Sequence, residues 1–194
     1  MNQPEDIRSR FTERAKTALQ LAEQEARNLG HAYVDPGHLL LGLLAEGQGI
    51  AARVLRYLSI DLQKAQDTMV FIIGRGEQPT TGNLPWVPRL QKVIRHAAQE
   101  ADLLQKHFIG TEHLLLGLTT EHQGMAAALL EATGIQLEQV RKETLAFIGS
   151  GQPVVPEEAK TLVKEDQPAK VCERCGLRSP DYFQYCFWCG LKLS

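Results

Sequence analysis

The sequence predicts an all-α fold: a pseudo-twofold bundle of about eight helices from two tandem repeats, followed by a small separate module. Three observations predict it. Phe11 to Gly76 lies on Trp86 to Gly151 without a gap, and roughly a third of the pairs are identical. Apolar residues recur at helical spacing in both copies, and no convincing strand pattern occurs before residue 170. A duplicated unit this short seldom buries its own apolar face, so the copies are expected to pack into one body.

The elements follow in order. In Phe11 to Leu29, residues Phe11, Ala15, Ala18, Leu19, Ala22 and Ala26 recur every three or four positions; Leu90, Val93, Ile94, Ala97, Ala101 and Leu104 repeat the pattern. A start signal comes next, Asp35-Pro36 in copy one and Thr111-Glu112 in copy two. The segments after it, Leu39 to Leu44 and Leu114 to Leu118, are apolar nearly all round and should be the most buried helices. Here the match is densest: His38-Leu39-Leu40-Leu41-Gly42-Leu43 on His113-Leu114-Leu115-Leu116-Gly117-Leu118.

Gly49 and Gly124 break those helices before short ones, Ile50 to Leu58 and Met125 to Ala132. Last helices run from about Asp61 to Ile73 and Gln136 to Ile148, each expected to end in a left-handed cap at Gly74 or Gly149. The first repeat thus spans about 11–76 and the second about 86–151, within a helical domain of 8–151. Pro79, Pro85 and Pro88 mark a surface loop between the copies. Pro153, Pro156 and Pro168 among charged residues mark 152–170 as a semi-rigid tether to a module at 171–194.

Net charge is −2 with both signs interspersed, which excludes a general polyanion binder and an acidic disordered tail. The polar, acidic N-terminus lacks a signal-peptide pattern, and no apolar run approaches the ~18 residues a membrane span needs. A cytoplasmic protein away from membranes, monomeric or weakly dimeric, is expected.

All four cysteines lie near the C-terminus, as Cys172-x-x-Cys175-Gly176 and Cys186-x-x-Cys189-Gly190. Two such pairs supply the four thiolates of a closed tetrahedral site, so one structural Zn2+ is expected on Cys172, Cys175, Cys186 and Cys189. A module this small has no core of its own, and the metal would hold it together as a zinc ribbon. A redox pair would explain one CxxC, not two with matching glycines. Tyr182, Phe183, Tyr185, Phe187 and Trp188 supply aromatic surface for a partner protein or for stacking on bases. Lys170, Arg174, Arg178 and Lys192 face Glu173, Asp181 and the negative charge of a zinc tetrathiolate, so the module is nearly neutral. That argues against nucleic acid, which wants surplus cations. A regulator that reads nucleic acid through the ribbon is kept as the alternative.

Catalysis finds little support. His38 and His113 repeat, but beside an apolar helix start they suit structural roles. Glu46 and Glu121 suit turns or caps. No serine or cysteine nucleophile accompanies them, and there is no phosphate-binding GxxxxGK[ST] loop. The expectation is a protein without enzymatic activity.

The residues Phe11-Thr12-Glu13-Arg14-Ala15, the His-Leu-Leu-Leu-Gly-Leu blocks, Glu-x-Gln-Gly-x-Ala-Ala and the Ile-Gly endings resemble the duplicated N-terminal domain of Clp-type AAA+ unfoldases, most of all the ClpC branch. The resemblance covers about residues 8 to 151 and implies a compact bundle that docks adaptors, substrate peptides or Clp subunits. The ATPase modules are missing from this sequence and the zinc ribbon is an addition, so it looks like a free-standing N domain with a new tail. In ClpC the domain also recognises phosphorylated arginine, through a Gly-Thr-Glu-His block and a hydroxyl at the start of each repeat. Copy two keeps Gly110-Thr111-Glu112-His113, whereas copy one has Gly37 in place of the glutamate. The hydroxyl is Thr12 in copy one and is replaced by Val87 in copy two. Two equivalent pockets are therefore not expected; one degenerate pocket would involve Thr12, Thr111 and Glu112.

Overall fold

The computed structural model describes residues 4–76, 82–150, 168–171 and 178–180. It separates into two units, Met1–Thr144 and Leu145–Ser194, which we treat individually. Nine helices occur among the described residues: α1 Pro4–Ser9, α2 Glu13–Asn28, α3 Pro36–Glu46, α4 Ile50–Tyr57, α5 Leu62–Ile73, α6 Pro88–Leu103, α7 Thr111–Leu118, α8 Met125–Ala132 and α9 Leu137–Ser150. Helices α2 to α5 come from the first copy, α6 to α9 from the second.

Each helix starts where its local chemistry permits. The Thr12 hydroxyl accepts the Ala15 N–H (3.2 Å) and caps α2. Asp35 caps α3 through the His38 N–H (3.1 Å), with Pro36 in the first turn. The most apolar helices are the most buried: Leu39, Leu40, Leu41 and Leu43 on α3, and Leu114, Leu115, Leu116 and Leu118 on α7, are wholly inaccessible. Each such leucine contributes about 1.5–3 kcal/mol of burial. α3 packs on α2 and reaches α4 to α8, so the copies share one core.

Small residues set how closely the helices approach. A Cβ added at Gly42 would lie 2.3 Å from the Ala18 carbonyl oxygen. Its counterpart at Gly117 would lie 2.6 Å from the Val93 carbonyl oxygen. Both copies thus bring backbone against backbone where alanines line the facing helix.

Two short parallel backbone joints connect the copies, Phe11 with Ile109 and Val34 with Trp86. In the first, Thr12 N–H donates to Ile109 O (3.0 Å) and Ile109 N–H to Arg10 O (2.8 Å). In the second, Val34 N–H donates to Pro85 O (2.9 Å) and Val87 N–H to Val34 O (3.1 Å). The start of each repeat therefore pairs with the loop preceding the buried helix of the other.

Three details differ from the sequence reading. α1 was not expected, since Ile7 is its only apolar residue with a place in the core. Gly149 lies inside α9 rather than capping it, whereas Gly74 does cap α5 at φ 78°. Gly110, not Thr111, is the N-cap of α7.

In the second unit, β1 Ala169–Val171 pairs antiparallel with β2 Arg178–Pro180. The four cysteines lie outside the described residues. Among the described residues, no helix is long and apolar enough to cross a membrane, and no group of three metal-ligating side chains occurs.

Candidate docking site at the repeat joints

The joints decide which repeated residues become neighbours. Thr12 is half-buried, and its backbone bonds to Ile109, two residues before Thr111 and three before Glu112. The Glu112 carboxylate folds back over Gly110, where an added Cβ would lie 2.5 Å from Oε1. Its side chain keeps 20% exposure. The two elements the sequence retained, one per copy, therefore meet at one joint.

The other joint collects the two losses. Val87 bonds to Val34, just ahead of the Asp35-Pro36-Gly37 turn. A Cβ on Gly37 would lie 2.5 Å from Met125 Cγ, so the methionine occupies the space a glutamate would need. Comparison within each repeat pairs Thr12 with Gly37 and Val87 with Glu112; the fold exchanges those partners.

Thr111 has a different surrounding. It is 2% exposed, and its hydroxyl accepts the Ala51 N–H at 3.4 Å. Gly49, the N-cap of α4, has no side chain to serve its own helix, so Thr111 of the opposite copy supplies the oxygen. The Glu46 carboxylate completes that cap from Gly49 N–H (2.6 Å) and Gln48 N–H (3.2 Å), and pairs with Arg14 (3.2 Å). Glu121 pairs with Arg89 in the second copy (3.6 Å). Arg10, beside the Thr12 joint, bonds to Asp102 (2.5 Å) and to the His107 carbonyl (3.1 Å).

The two repeated histidines are buried inside the bundle. Asp35 N–H donates to His38 Nδ1 (3.1 Å), His38 Nε2 lies 2.8 Å from His31 Nδ1, and His31 Nε2 lies 3.1 Å from the Gly74 carbonyl. A carbonyl only accepts, so His31 carries its proton on Nε2 and accepts at Nδ1. His38 must then donate from Nε2, which leaves Nδ1 to accept the Asp35 N–H. Both ends of the chain fix the same direction with both rings neutral. His38 Nδ1 also lies 3.0 Å from Asp35 Oδ1, but while accepting the backbone N–H it cannot donate there. Burial lowers the His31 pKa, although the Gly74 bond opposes it. Burial raises the Asp35 carboxyl, and the His38 and Gly37 backbone N–H groups that it accepts oppose this and lower it.

In the second copy His113 Nδ1 accepts the Gly110 N–H (2.9 Å), but Lys106 stands where His31 stands in the first. His113 Nε2 is buried without a hydrogen-bond partner among the described residues. Burial lowers the His113 pKa against the opposing charge of Glu112. No described nucleophile approaches either histidine within hydrogen-bonding distance in these networks. The relay between His31 and His38 escaped the sequence reading because nothing repeats it in copy two.

The fold and joints define the class: a helical double-repeat domain in which one joint pairs the Thr12 segment with the segment leading to Glu112. The chain belongs to the Clp repeat (R) N-terminal domain family, whose sequence profile matches twice, at residues 10–121 and 88–178. The chaperone protein ClpB of Oceanobacillus iheyensis is 42% identical over 143 residues, covering 74% of this chain and 18% of its own length. The chloroplastic chaperone ClpC1 of Oryza sativa subsp. japonica is 41% identical over 146 residues, covering 75% and 16%. The chain thus spans less than a fifth of the length of these relatives. Among solved structures, the N-terminal domain of ClpD from Arabidopsis thaliana is 26% identical with a TM-score of 0.62, covering 73% of this chain and 96% of that one. A ClpV N-domain in complex with a VipB peptide has the same fold, at 19% identity and a TM-score of 0.59, covering 77% and 92%.

Proposed function

We propose that this chain is a non-catalytic protein-interaction module of the Clp chaperone-protease system. Its helical body would bind adaptors, substrate peptides or Clp subunits. The observation that carries the reading is the exchanged joint, which places Thr12 beside the Ile109-Gly110 backbone leading to Glu112 in a Clp repeat body. Further support comes from the ClpV N-domain, whose fold was solved with a bound peptide.

The same joint is the candidate for a single phosphoarginine-type pocket. Glu112 would pair with the guanidinium and the Thr12 hydroxyl would contact the modified group, while buried Thr111 holds the floor through α4. A guanidinium deprived of its carboxylate loses a charge-assisted bond of about 1.5–3 kcal/mol. Glu112→Gln should therefore weaken binding of an arginine-phosphorylated peptide by at least tenfold. Equal binding by wild type and variant would remove the pocket from the proposal.

Cys172, Cys175, Cys186 and Cys189 would hold one structural Zn2+, and the ribbon so formed would be a second docking surface. The donor set itself supports this, since four thiolates satisfy a closed tetrahedral ion and need a reducing compartment such as the cytoplasm. Affinity capture from native lysate tests the whole reading, with the full chain and a version ending at Gly151 as baits. Recovery of a Clp unfoldase, protease core or adaptor by both baits is the expected result. Recovery of no Clp component by either bait would overturn it.

A further inference from the structure

A groove of about 680 Å³ opens in the first unit, between α1, α2, the segment before α6, and α6 itself. Its volume falls within the usual range of ligand clefts. Ile7, Leu84 and Ile94 form a buried apolar floor, and Trp86 forms a half-buried wall. The Arg8 guanidinium lies over the Trp86 ring, 5.2 Å from its centre. Arg95, on α6, is an exposed lining residue.

Among the described lining residues, the charge of the rim is one-sided. Glu23 is its one carboxylate among the lining residues, and it is already engaged by the Arg27 guanidinium and the Leu84 N–H (3.1 Å). Arg27 also bonds to the Gly82 carbonyl (2.8 Å), so the pair braces the loop instead of facing the opening. Among the described lining residues, Arg8 and Arg95 are left as the charges a ligand meets.

The duplication offers an internal comparison. Phe11 occupies the position of Trp86 in the first copy and is buried at 6% exposure; Gln20 replaces Arg95, and Ala98 stands where Glu23 stands. α1 precedes the first repeat, and its Arg8 lies on Trp86 at the second joint, so that joint acquires a helical wall. The groove is a departure from the twofold pattern, with its own cations.

We propose that this groove docks an amphipathic peptide segment of a partner protein, with apolar side chains on Ile7, Leu84, Trp86 and Ile94 and carboxylates facing Arg8 and Arg95. The inference rests on the reading of the helical body as a peptide-docking module and names the chemistry it selects. Apolar burial supplies affinity, while the two guanidinium groups select acidic over basic partners and make association salt-dependent.

Fluorescence anisotropy of the full chain tests it with three labelled leucine-containing helical peptides, identical except for glutamate, glutamine or lysine on the polar face. The glutamate peptide should bind about tenfold or more tightly than the lysine peptide, and added salt should erase the difference. The double variant Arg8→Gln/Arg95→Gln should abolish the preference, and Trp86→Ala should weaken all three peptides. Both arginine sites are exposed, so circular dichroism should report an unchanged fold in the double variant. Equal binding of the three peptides, no binding of any, or a preference that survives in the double variant would overturn the assignment. Capture of Clp components that persists in the double variant would separate failure of this groove from failure of the docking reading.

Discussion

Replacing Gly42 by alanine tests the central packing contact of the first repeat. The new methyl would stand 2.3 Å from the Ala18 carbonyl oxygen, 2.6 Å from the Ala22 nitrogen and 2.9 Å from the Ala22 Cα. All three are backbone atoms of α2, so no side chain can swing away and the two helices must separate. Overpacking of a tight core costs ~1–3 kcal/mol, and immovable backbone places this site at or above the upper end. Better helix propensity returns about 1 kcal/mol. The net loss is about 2 kcal/mol, which lowers Tm by roughly 4–8 °C in a protein of this size. Gly149→Ala is the matched control, because nothing lies within 4 Å of its added Cβ and the residue is inside α9. It should be neutral or stabilising by up to ~1 kcal/mol. Thermal unfolding followed by far-ultraviolet circular dichroism compares the two. A Gly42→Ala protein as stable as the wild type would refute the close α2–α3 packing.

Burial favours neutral His31, so the unfolded chain binds more protons than the folded one as pH falls. The His31 contribution is therefore fully present above the unfolded value of about 6.5 and is lost as pH drops toward the lowered folded value. Denaturant midpoints measured across that window should fall with pH, and His31→Ala should flatten the slope. The same variant leaves the buried His38 Nε2 proton without its acceptor, at about 1–3 kcal/mol. Arg141 holds buried Glu100 through two bonds (2.7 and 3.2 Å), while among the described residues the equivalent Glu25 is held by Gln66 (2.7 Å). After allowance for solvent screening, Arg141→Ala should cost about 1–2 kcal/mol, and urea titration should rank it above Gln66→Ala. Native mass spectrometry of freshly purified chain should find a single bound zinc, lost when Cys172 and Cys175 are both changed to serine.

The internal repeat made the helical body legible, because period and position agree twice over. The Ala-rich face of α2 and the glycine inside the apolar run at Gly42 recur at α6 and Gly117, and both pairs became close contacts. α1 was not legible, since a six-residue helix with one core residue leaves no periodic trace. Gly149 misled because the sequence match to Gly74 continues, although the helix there continues too. The candidate site was legible as a set of residues, Thr12, Thr111 and Glu112, but not as a geometry: alignment of the copies compares equivalent positions, whereas the joints pair non-equivalent ones. Thr111 was legible as part of a helix start, but its cap serves α4 of the opposite copy, which only the packing reveals.

Hydrogen–deuterium exchange of the full chain, with and without a captured Clp subunit or adaptor, addresses the docking claim most directly. Slowed exchange is expected in the helical body, concentrated at the start of α2, the 109–113 segment and the walls of the Trp86 groove. Slowed exchange confined to residues 168–194, with the helical body unchanged, would contradict it.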